Sequence, residues 1–426
     1  MERSSHIYQT YVEILRRELI CAMGCTEPVA IAYCAAKARA ILGVLPERME
    51  VCASGNVIKN VKSVVVPGTN GRRGIAAAAA VGALGGDETA ELEVISHVSD
   101  EAKKRLADYL AVTPVKVIPS MSERVLDIAV TVFAAGHSAA VCIADEHTNI
   151  VRIERDGAIL FEKREPAVAA PESGPDYSLL TVEGICDFAA TCELEDVAPI
   201  LRRQIALNSA IAEEGLENSY GANIGKVLLT TGNDVRTHAK ARAAAASDAR
   251  MNGCEMPVVI CSGSGNQGIT ASLPVIEYAR ALGKSEDELL RALAVSNLVT
   301  LHEKAGIGRL SAYCGAVSAG AGAGAGIAWL HGGRVRAVAH TIVNALAVTS
   351  GIVCDGAKSS CAAKIAMATE AGIFGYEMYT QGQQFVGGDG LVVKGVENSI
   401  ASFSRLARVG MRETDQEIIR MMTEQR

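Results

Sequence analysis

Residues 315–330, GAVSAGAGAGAGIAWL, decide how the second half of this chain folds. Gly and Ala dominate the stretch, and no charged residue interrupts it. A membrane-spanning helix needs about 20 strongly apolar residues. This stretch is shorter, and His331 and Arg334 follow it closely. The sequence therefore predicts a buried helix whose small side chains let a neighbouring element approach closely.

Composition and charge restrict the class of protein. The chain has 426 residues, of which 49% are hydrophobic and 21% charged, as in a soluble globular protein with two or three domains. The net charge of -7 provides no basic surface for nucleic acid and argues against an anionic membrane. The first residues, MERSSHI, lead into no apolar run with a cleavage site. We therefore expect a cytoplasmic protein with no nucleic-acid partner and no membrane partner.

Hydrophobic periodicity predicts helices at both ends and strands between them. Residues 8–22 have helical spacing, and Thr26 and Pro28 favour the start of a second helix. Two further helices are predicted over 74–84 and 99–111. Strands are predicted over 61–67, 91–96, 115–119, 126–134 and 139–145, with a hairpin at Asp156-Gly157.

A stretch rich in Pro, Gly and Ser, residues 164–178, reads as a linker. Beyond it the strand patterns fade and helical patterns alternate with glycine loops. We expect an α+β fold with a mostly helical catalytic domain over 179–426. A smaller α/β domain, 48–165, is inserted after an N-terminal helical segment, 1–47, that packs on the catalytic domain. The Gly/Ala helices could pack within one subunit or between the two subunits of a homodimer.

Twelve cysteines without a secretory signal indicate a reducing compartment, where cysteines bind metal, take part in catalysis or simply pack. Those with apolar neighbours are predicted to be small buried hydrophobes. They are Cys34, Cys52, Cys142, Cys186 and Cys192.

Three other cysteines stand where a loop leads into a predicted helix. Cys25 lies in MGCTEP, Cys314 in LSAYCGA and Cys354 in GIVCDGA, with Cys361 seven residues later. Free backbone amides and the helix dipole favour a thiolate at such positions. Thiolates gathered from distant loops select zinc, copper(I) or an iron–sulfur cluster, and spacing alone does not choose among them. The alternative is that these thiols are buried and inert.

Two segments offer polar groups for a substrate. The loop CSGSGNQGITASLPV, 261–275, places backbone amides, Asn266 and Gln267 at a predicted helix start, which suits a carboxylate or phosphate. An ordinary connection is the alternative. The segment LHEKAGIGRLS, 301–311, contributes charged groups shortly before Cys314, and these could include a base or a carboxylate anchor. A solvated helix end would explain them equally well.

Four motifs occur in one order along the chain: GCTEPVAIAY (24–33), GSGNQGITASLPV (263–275), SAYCGAVSAGAGAGAG (311–326) and GIVCDGAKSSCAAKIA (351–366). Together they resemble the L-cysteine desulfidase family, within the superfamily of the iron–sulfur L-serine dehydratase alpha chain. The likeness runs nearly end to end. The chain lacks the Ser-Ser-His-Thr loop and the wider cysteine pair of the serine dehydratases, so the cysteine-directed branch fits better.

The resemblance implies a [4Fe–4S] cluster and no pyridoxal phosphate. By motif match, Cys25, Cys314 and Cys354 would be its ligands, and Cys361 is an additional candidate that the match does not support. The implied reaction converts L-cysteine and water to pyruvate, ammonia and hydrogen sulfide, with L-serine deamination as a related activity. The preferred amino acid stays open.

An elimination of this kind needs a base for the α-proton and a clamp for the α-carboxylate. Our candidates for the base are Lys358 and then His302. The predicted clamp consists of Ser262, Gly263, Ser264, Gly265, Asn266 and Gln267. Two alternatives remain: a pyridoxal-phosphate-dependent amino-acid lyase, with this loop as the phosphate cup, and a non-catalytic metal-binding protein.

Overall fold

The structure is a computed structural model that describes residues 1–163 and 174–424. Most of the predicted linker, 164–173, lies outside the described residues. The described chain forms a helical body and one six-stranded sheet. In the part of the chain that is described, no helix is long and apolar enough to cross a membrane.

The helices of the described chain are numbered in order. They are α1 (His6–Glu18), α2 (Thr26–Leu42), α3 (Gly55–Val61), α4 (Gly74–Gly85), α5 (Asp100–Val112), α6 (Val182–Thr191), α7 (Ala198–Glu217), α8 (Ile224–Leu229), α9 (Val235–Met251), α10 (Gly265–Ala281), α11 (Glu286–Ile307), α12 (Gly315–Leu330), α13 (Val335–Thr349), α14 (Cys361–Thr380), α15 (Val396–Arg405) and α16 (Arg412–Glu424).

The strands are β1 (Cys21–Met23), β2 (Arg48–Ala53), β3 (Val115–Pro119), β4 (Asp127–Ala134), β5 (His137–Ala144), β6 (Ile150–Arg155), β7 (Ala158–Glu162) and β8 (Pro257–Val259). Six of them form a mixed sheet in the order β3-β2-β4-β5-β6-β7. Strands β2 and β3 pair in parallel, and the other neighbours are antiparallel. Every second residue of β4 is buried, so one face of the sheet is apolar, and α2 packs on it.

The N-terminal segment is joined to the helical body by backbone hydrogen bonds. Strand β1, just before α2, pairs antiparallel with β8, just before α10. Because each strand runs directly into a loop and a helix, this small sheet fixes the starts of α2 and α10 relative to each other. Those two helix starts form part of the candidate site.

Helix α12 is the centre of the helical body, and every residue from Ala316 to Leu330 is buried. It packs against α10, α11, α13 and α14. A Cβ atom at Gly320 would overlap the carbonyl oxygen of Ala368, and one at Gly372 would overlap the carbonyl oxygen of Gly320. The backbones of α12 and α14 are therefore in direct contact, which confirms the prediction of a buried helix with close neighbours.

The α+β class is confirmed, whereas the domain boundaries and the inserted arrangement stay predictions. Two predicted strands are wrong. Val61 ends α3, and residues 62–67 form an irregular segment whose only β-pairing within the described chain is an isolated bridge between Val65 and Arg73. The predicted apolar run is buried all the same. Within 91–96 the chain forms a 3₁₀ helix, Glu91–Glu93. Strand β2 was missed, since charged residues at its exposed positions dilute its apolar alternation.

Candidate active site: a cysteine-lined cavity

Four helices begin around one cavity of about 100 Å³. Cys25, Ser264 and Cys314 are the N-terminal cap residues of α2, α10 and α12, and Cys361 is the first residue of α14. All four line the cavity, as does Cys354. The start of a helix carries unpaired amides and a partial positive charge. The arrangement therefore favours negative charge inside the cavity.

Cys314 and Cys354 are held side by side by their backbones. The amide of Cys314 donates to the carbonyl of Ile352 at 3.1 Å, and the amide of Cys354 donates to the carbonyl of Ala312 at 2.6 Å. Between these bonds Tyr313 and Val353 form an antiparallel bridge. Burial and the nearby Cys354 raise the pKa of the Cys314 thiol to about 12. This thiol therefore keeps its proton unless a metal replaces it.

Cys25 lies against a buried carboxylate. Its Sγ donates to Oε2 of Glu27 at 3.0 Å, while Asn60 Nδ2 donates to Oε1 at 2.9 Å. Nε2 of His147 lies 3.8 Å from the same Oε1. Burial opposes ionisation of Glu27, but His147 and Cys25 lower its pKa to about 2. Burial raises the pKa of the Cys25 thiol well above its usual value.

Thr26 does not cap α2 as predicted, because Cys25 occupies the cap position. The Thr26 hydroxyl instead donates to the carbonyl of Gly263 at 2.9 Å. This bond ties the first turn of α2 to the loop before α10. Pro28 lies in the first turn of α2, as predicted.

The predicted clamp loop is a tight turn that opens α10. Ser262 and Gly263 both have positive φ, and Cys261 and Ser264 exchange two backbone hydrogen bonds of 3.1 Å across the turn. Gly263, Ser264, Asn266 and Gln267 line the cavity, whereas Ser262 and Gly265 do not. The buried Oε1 of Gln267 has no hydrogen-bond partner among the described residues. The loop thus presents free polar groups to a ligand.

Two arginines approach the same loop. Arg250, in the last turn of α9, is 2% exposed, and its Nη1 donates to Oδ1 of Asn266 at 3.1 Å. No carboxylate pairs with Arg250 anywhere in residues 1–163 and 174–424, and its buried Nε has no partner there. Arg309 donates to Oε1 of Glu18 at 3.2 Å and also lines the cavity. The cavity therefore has cations on the side of the clamp loop.

Lys304, on the last turn of α11, reaches the cavity as a buried ammonium. It is 4% exposed, and its burial lowers its pKa to about 8, against the opposing effect of the Cys354 and Cys314 thiols. No described carboxylate forms an ion pair with it. The adjacent Glu303 does not compensate it, because burial raises the pKa of that carboxyl well above its usual value and neither oxygen is hydrogen-bonded within the described chain. Lys304 is therefore a cavity-facing amine available for proton transfer.

Neither of the two predicted bases lines the cavity. Lys358 forms an ion pair with the Asp355 carboxylate, and its Nζ donates to the Asp355 carbonyl oxygen at 3.2 Å. It does not line the cavity. His302 also lies outside the lining, and its Nε2 is 2.6 Å from Oε2 of Glu397 on α15. Position favours Lys304 over both residues.

Gly356 has φ of 89°, and a Cβ there would overlap the carbonyl oxygen of Lys59, so this turn packs on α3.

Sequence reasoning missed three residues that shape the cavity. Glu27 stood inside a quoted motif and could have been singled out as a carboxylate two residues from a candidate ligand. His147 and Arg250 stand in segments with no motif, and only the fold brings them to Cys25 and Asn266. His147 is more than a hundred residues from the clamp loop, whereas Arg250 ends the helix that precedes that loop.

The donor set can be tested against an iron–sulfur cluster. Within the described residues, no three His, Cys, Asp or Glu side chains are grouped so that they could hold a metal ion. A [4Fe–4S] cluster does not need three ligands that converge on a single metal ion, since each of its irons takes a separate thiolate. Four thiols line the cavity, and the buried cations Arg250 and Lys304 lack carboxylate partners in the described chain. Thiolates bound to a cluster would supply the missing negative charge, so the residues fit the group.

Comparison with known proteins identifies the family of this chain. Residues 89–420 match the model of the family described as serine dehydratase alpha chain. A UPF0597 protein of Desulfitobacterium hafniense is 56% identical over 426 residues, covering 100% of this chain and 99% of its own length. A UPF0597 protein of Lachnoclostridium phytofermentans is 49% identical over 98% of this chain and 100% of its own. One from Treponema denticola is 44% identical over 99% of both.

Proposed function

Because the chain belongs to the serine dehydratase alpha-chain family, we propose that it is an iron–sulfur lyase that removes the β-substituent of a small amino acid. The substrate that we propose is L-cysteine. The products are pyruvate, ammonia and hydrogen sulfide, and water is consumed. L-serine deamination is the related activity of the same site.

The observation that supports this proposal most strongly is the set of four helix starts around one cavity that is lined by thiols and buried cations. Buried cations without carboxylate partners are costly unless an anion joins them. A substrate carboxylate and cluster-bound thiolates are both anionic. The cavity therefore has the charge that substrate and cofactor together require.

Cys25, Cys314 and Cys354 are the proposed ligands of the [4Fe–4S] cluster, and Cys361 lines the same cavity as an additional candidate. When bound through three cysteines, the cluster would leave one iron open as a Lewis acid for the departing sulfur or oxygen. Every other part of the reaction depends on side chains and amides of this chain.

The α-carboxylate of the substrate is assigned to the clamp loop. Ser264 and Gln267 stand at the start of α10, where free amides suit a carboxylate. Arg250 adds positive charge beside the loop, and its hydrogen bond to Asn266 holds that side chain in place. Arg309 also lines the cavity, but its charge is paired with Glu18 and Glu146. A carboxylate bound here would be fixed relative to the thiols that line the same cavity. A substrate held by its carboxylate in this way keeps its α-proton pointing in one direction.

Lys304 Nζ is the base that we assign to the α-proton, in place of Lys358 and His302. With a pKa of about 8, the Lys304 side chain is an ammonium in most molecules at neutral pH and a neutral amine in the rest. The neutral amine accepts the proton while the β-substituent leaves, and the resulting aminoacrylate tautomerises and hydrolyses to pyruvate and ammonia. Burial favours the neutral amine. The surrounding apolar core excludes bulk water from the proton during transfer.

The competing pyridoxal phosphate interpretation also has a supporting observation, since a buried lysine and the clamp loop share one cavity. In that case Lys304 would carry the cofactor as a Schiff base. If the cofactor is pyridoxal phosphate, borohydride reduction would abolish its absorbance and block Lys304. If the cofactor is the cluster, the enzyme would keep its activity only under anaerobic conditions.

The test is a product assay on protein that has been reconstituted anaerobically with iron and sulfide. We expect L-cysteine to give pyruvate, ammonia and sulfide in equal amounts, with a higher kcat/KM than L-serine. Turnover of L-serine alone would support the lyase and reject the cysteine specificity. A protein that carries the cluster but releases no pyruvate from either amino acid would contradict the proposal.

A further inference from the structure

A second cavity, of about 210 Å³, lies at the other end of α12. It is bounded by the end of α6, the start of α11 and the turn between α12 and α13. Helix α12 has 16 residues, so its two ends are about 24 Å apart. No residue lines both cavities. The second cavity is therefore a separate site.

The positive charges that line the second cavity outnumber the negative ones. Lys284 Nζ lies 2.9 Å from Oε1 of Glu288, and Oε2 of that carboxylate accepts from the Ser285 amide at 3.0 Å. Glu288 is thus engaged by Lys284 and by the cap of α11. Two further cations, Arg291 and Arg334, line the cavity, and no carboxylate in the described ranges pairs with either of them.

Both guanidinium groups are held in place without using all of their donors. Arg291 Nη1 donates to the carbonyl oxygen of Ala189 at 2.6 Å. The Arg334 guanidinium lies over the Trp329 ring at 4.3 Å, and its Nη1 donates to the carbonyl of Gly333 at 2.8 Å. An arginine carries five N–H donors in a planar fork. Each side chain therefore keeps donors for a further acceptor.

The start of α13 adds to this positive site. The helix begins at Val335, directly after Arg334, and neither a side-chain cap nor an acidic residue occupies its first turn. Its first amides are therefore free for an anion. We propose that the second cavity binds a small oxyanion, a carboxylate or a phosphate, between Arg291 and Arg334. Planar guanidinium groups match both chemistries in bidentate geometry.

The chain offers a direct readout of binding, because Trp329 is its single tryptophan and lines this cavity. The experiment titrates the full chain with inorganic phosphate and, separately, with malonate, and follows tryptophan emission. Sodium chloride at the same ionic strength is the control for screening. We expect a saturable change with phosphate or malonate, and the stronger of the two identifies the ligand chemistry. Chloride should give no saturable change.

Two variants test the assignment of the arginines. Arg291→Gln and Arg334→Gln should each weaken binding at least tenfold, whereas Arg202→Gln, whose arginine is paired with Glu286 outside the cavity, should bind as the parent does. Using both variants keeps the test decisive if one of them misfolds, which the thermal midpoint reveals. The proposal is overturned if neither oxyanion saturates, if chloride acts equally, or if the two folded variants bind normally. None of these outcomes depends on lyase activity.

Discussion

Helix α12 has a cavity at each end, and the two cavities accommodate positive charge differently. At its N-terminal end, Arg250 and Lys304 are almost completely buried and have no described carboxylate partner. At its C-terminal end, Arg334 is exposed and Arg291 is only partly buried. Bulk water and its counterions reach the second pair far more than the first.

This difference teaches how strongly each cavity requires a ligand. A buried unpaired charge costs several kcal/mol, so the first cavity requires an anion that stays. An exposed guanidinium carries a much smaller penalty, so the second cavity is stable when empty and binds only reversibly. We therefore expect a resident cofactor at the cysteines and a weakly held oxyanion beside Trp329.

The largest effect should come from the buried lysine of the first cavity. Lys304→Met removes the proposed base and leaves a side chain of similar length, so kcat/KM for L-cysteine should fall by about 10²–10⁴-fold while the cluster spectrum persists. Deuterium exchange at the α-carbon of bound substrate should also be lost. The matched control is Lys226→Met, because Lys226 lines neither cavity and donates to the carbonyl of Glu217.

Normal turnover and normal α-carbon exchange in the Lys304→Met protein would remove Lys304 from the mechanism. The difference between buried and exposed cations would then concern only the charge balance of the two cavities and not the reaction mechanism. In that case the base would have to be sought among the other groups that line the cavity.

The next effect concerns the helix that separates the two cavities. Gly372→Ala places a Cβ against the carbonyl oxygen of Gly320, so α12 and α14 must move apart. We expect the free energy of unfolding to fall by about 3 kcal/mol, measured by urea denaturation. Gly351→Ala is the control, because no atom lies within 4 Å of a Cβ built there. Equal stability of the two variants would show that the close contact of α12 and α14 is dispensable.

The smallest effect lies in the second cavity and depends on pH. The hydrogen bond from Lys284, together with Ser285, lowers the pKa of Glu288 to about 2, below its usual value of 4.5. A lowered carboxyl pKa contributes stability above the unfolded value, and this stability is lost as the pH falls through the folded value. Glu288→Gln should therefore lower the thermal midpoint by a few degrees at most above pH 4.5.

The difference between Glu288→Gln and the parent should shrink as the pH falls from 4.5 towards 2. Thermal unfolding of the cluster-free protein across this range measures it. A difference that stays constant with pH would mean that the charge of Glu288 contributes nothing and that its role is limited to capping α11.

The fold could be predicted where local pattern and tertiary packing agree. The Gly/Ala stretch of α12 and the Asp156-Gly157 hairpin were both anticipated, because their residue types allow few alternatives. The segment 61–67 was mistaken for a strand, because a run of buried valines looks the same whether or not its backbone pairs. The composition of this segment reflects its burial, whereas the pairing of its backbone as a strand depends on residues distant in sequence.

The same limit applies to the site. Cys25 and Cys314 stand at helix starts as expected, whereas Cys354 lies in the loop before α14 and Cys361 is the residue that begins that helix. All four thiols line the cavity. The sequence named Lys358 and His302 as candidate bases and did not single out Lys304, since all three stand close to a candidate ligand in sequence. Only packing shows that Asp355 and Glu397 engage Lys358 and His302, whereas Lys304 has no carboxylate partner in the described residues.

The most direct test of the central claim is the iron and acid-labile sulfide content of the anaerobically reconstituted protein and its single variants. The parent should be brown, contain about four irons and four sulfides per chain, and bleach in air. Cys25→Ser, Cys314→Ser and Cys354→Ser should each lose most of the iron, while Cys34→Ser and Cys142→Ser, in the region of the sheet, should retain it. A parent without iron, or cavity variants with as much iron as the sheet variants, would contradict a cluster in this cavity.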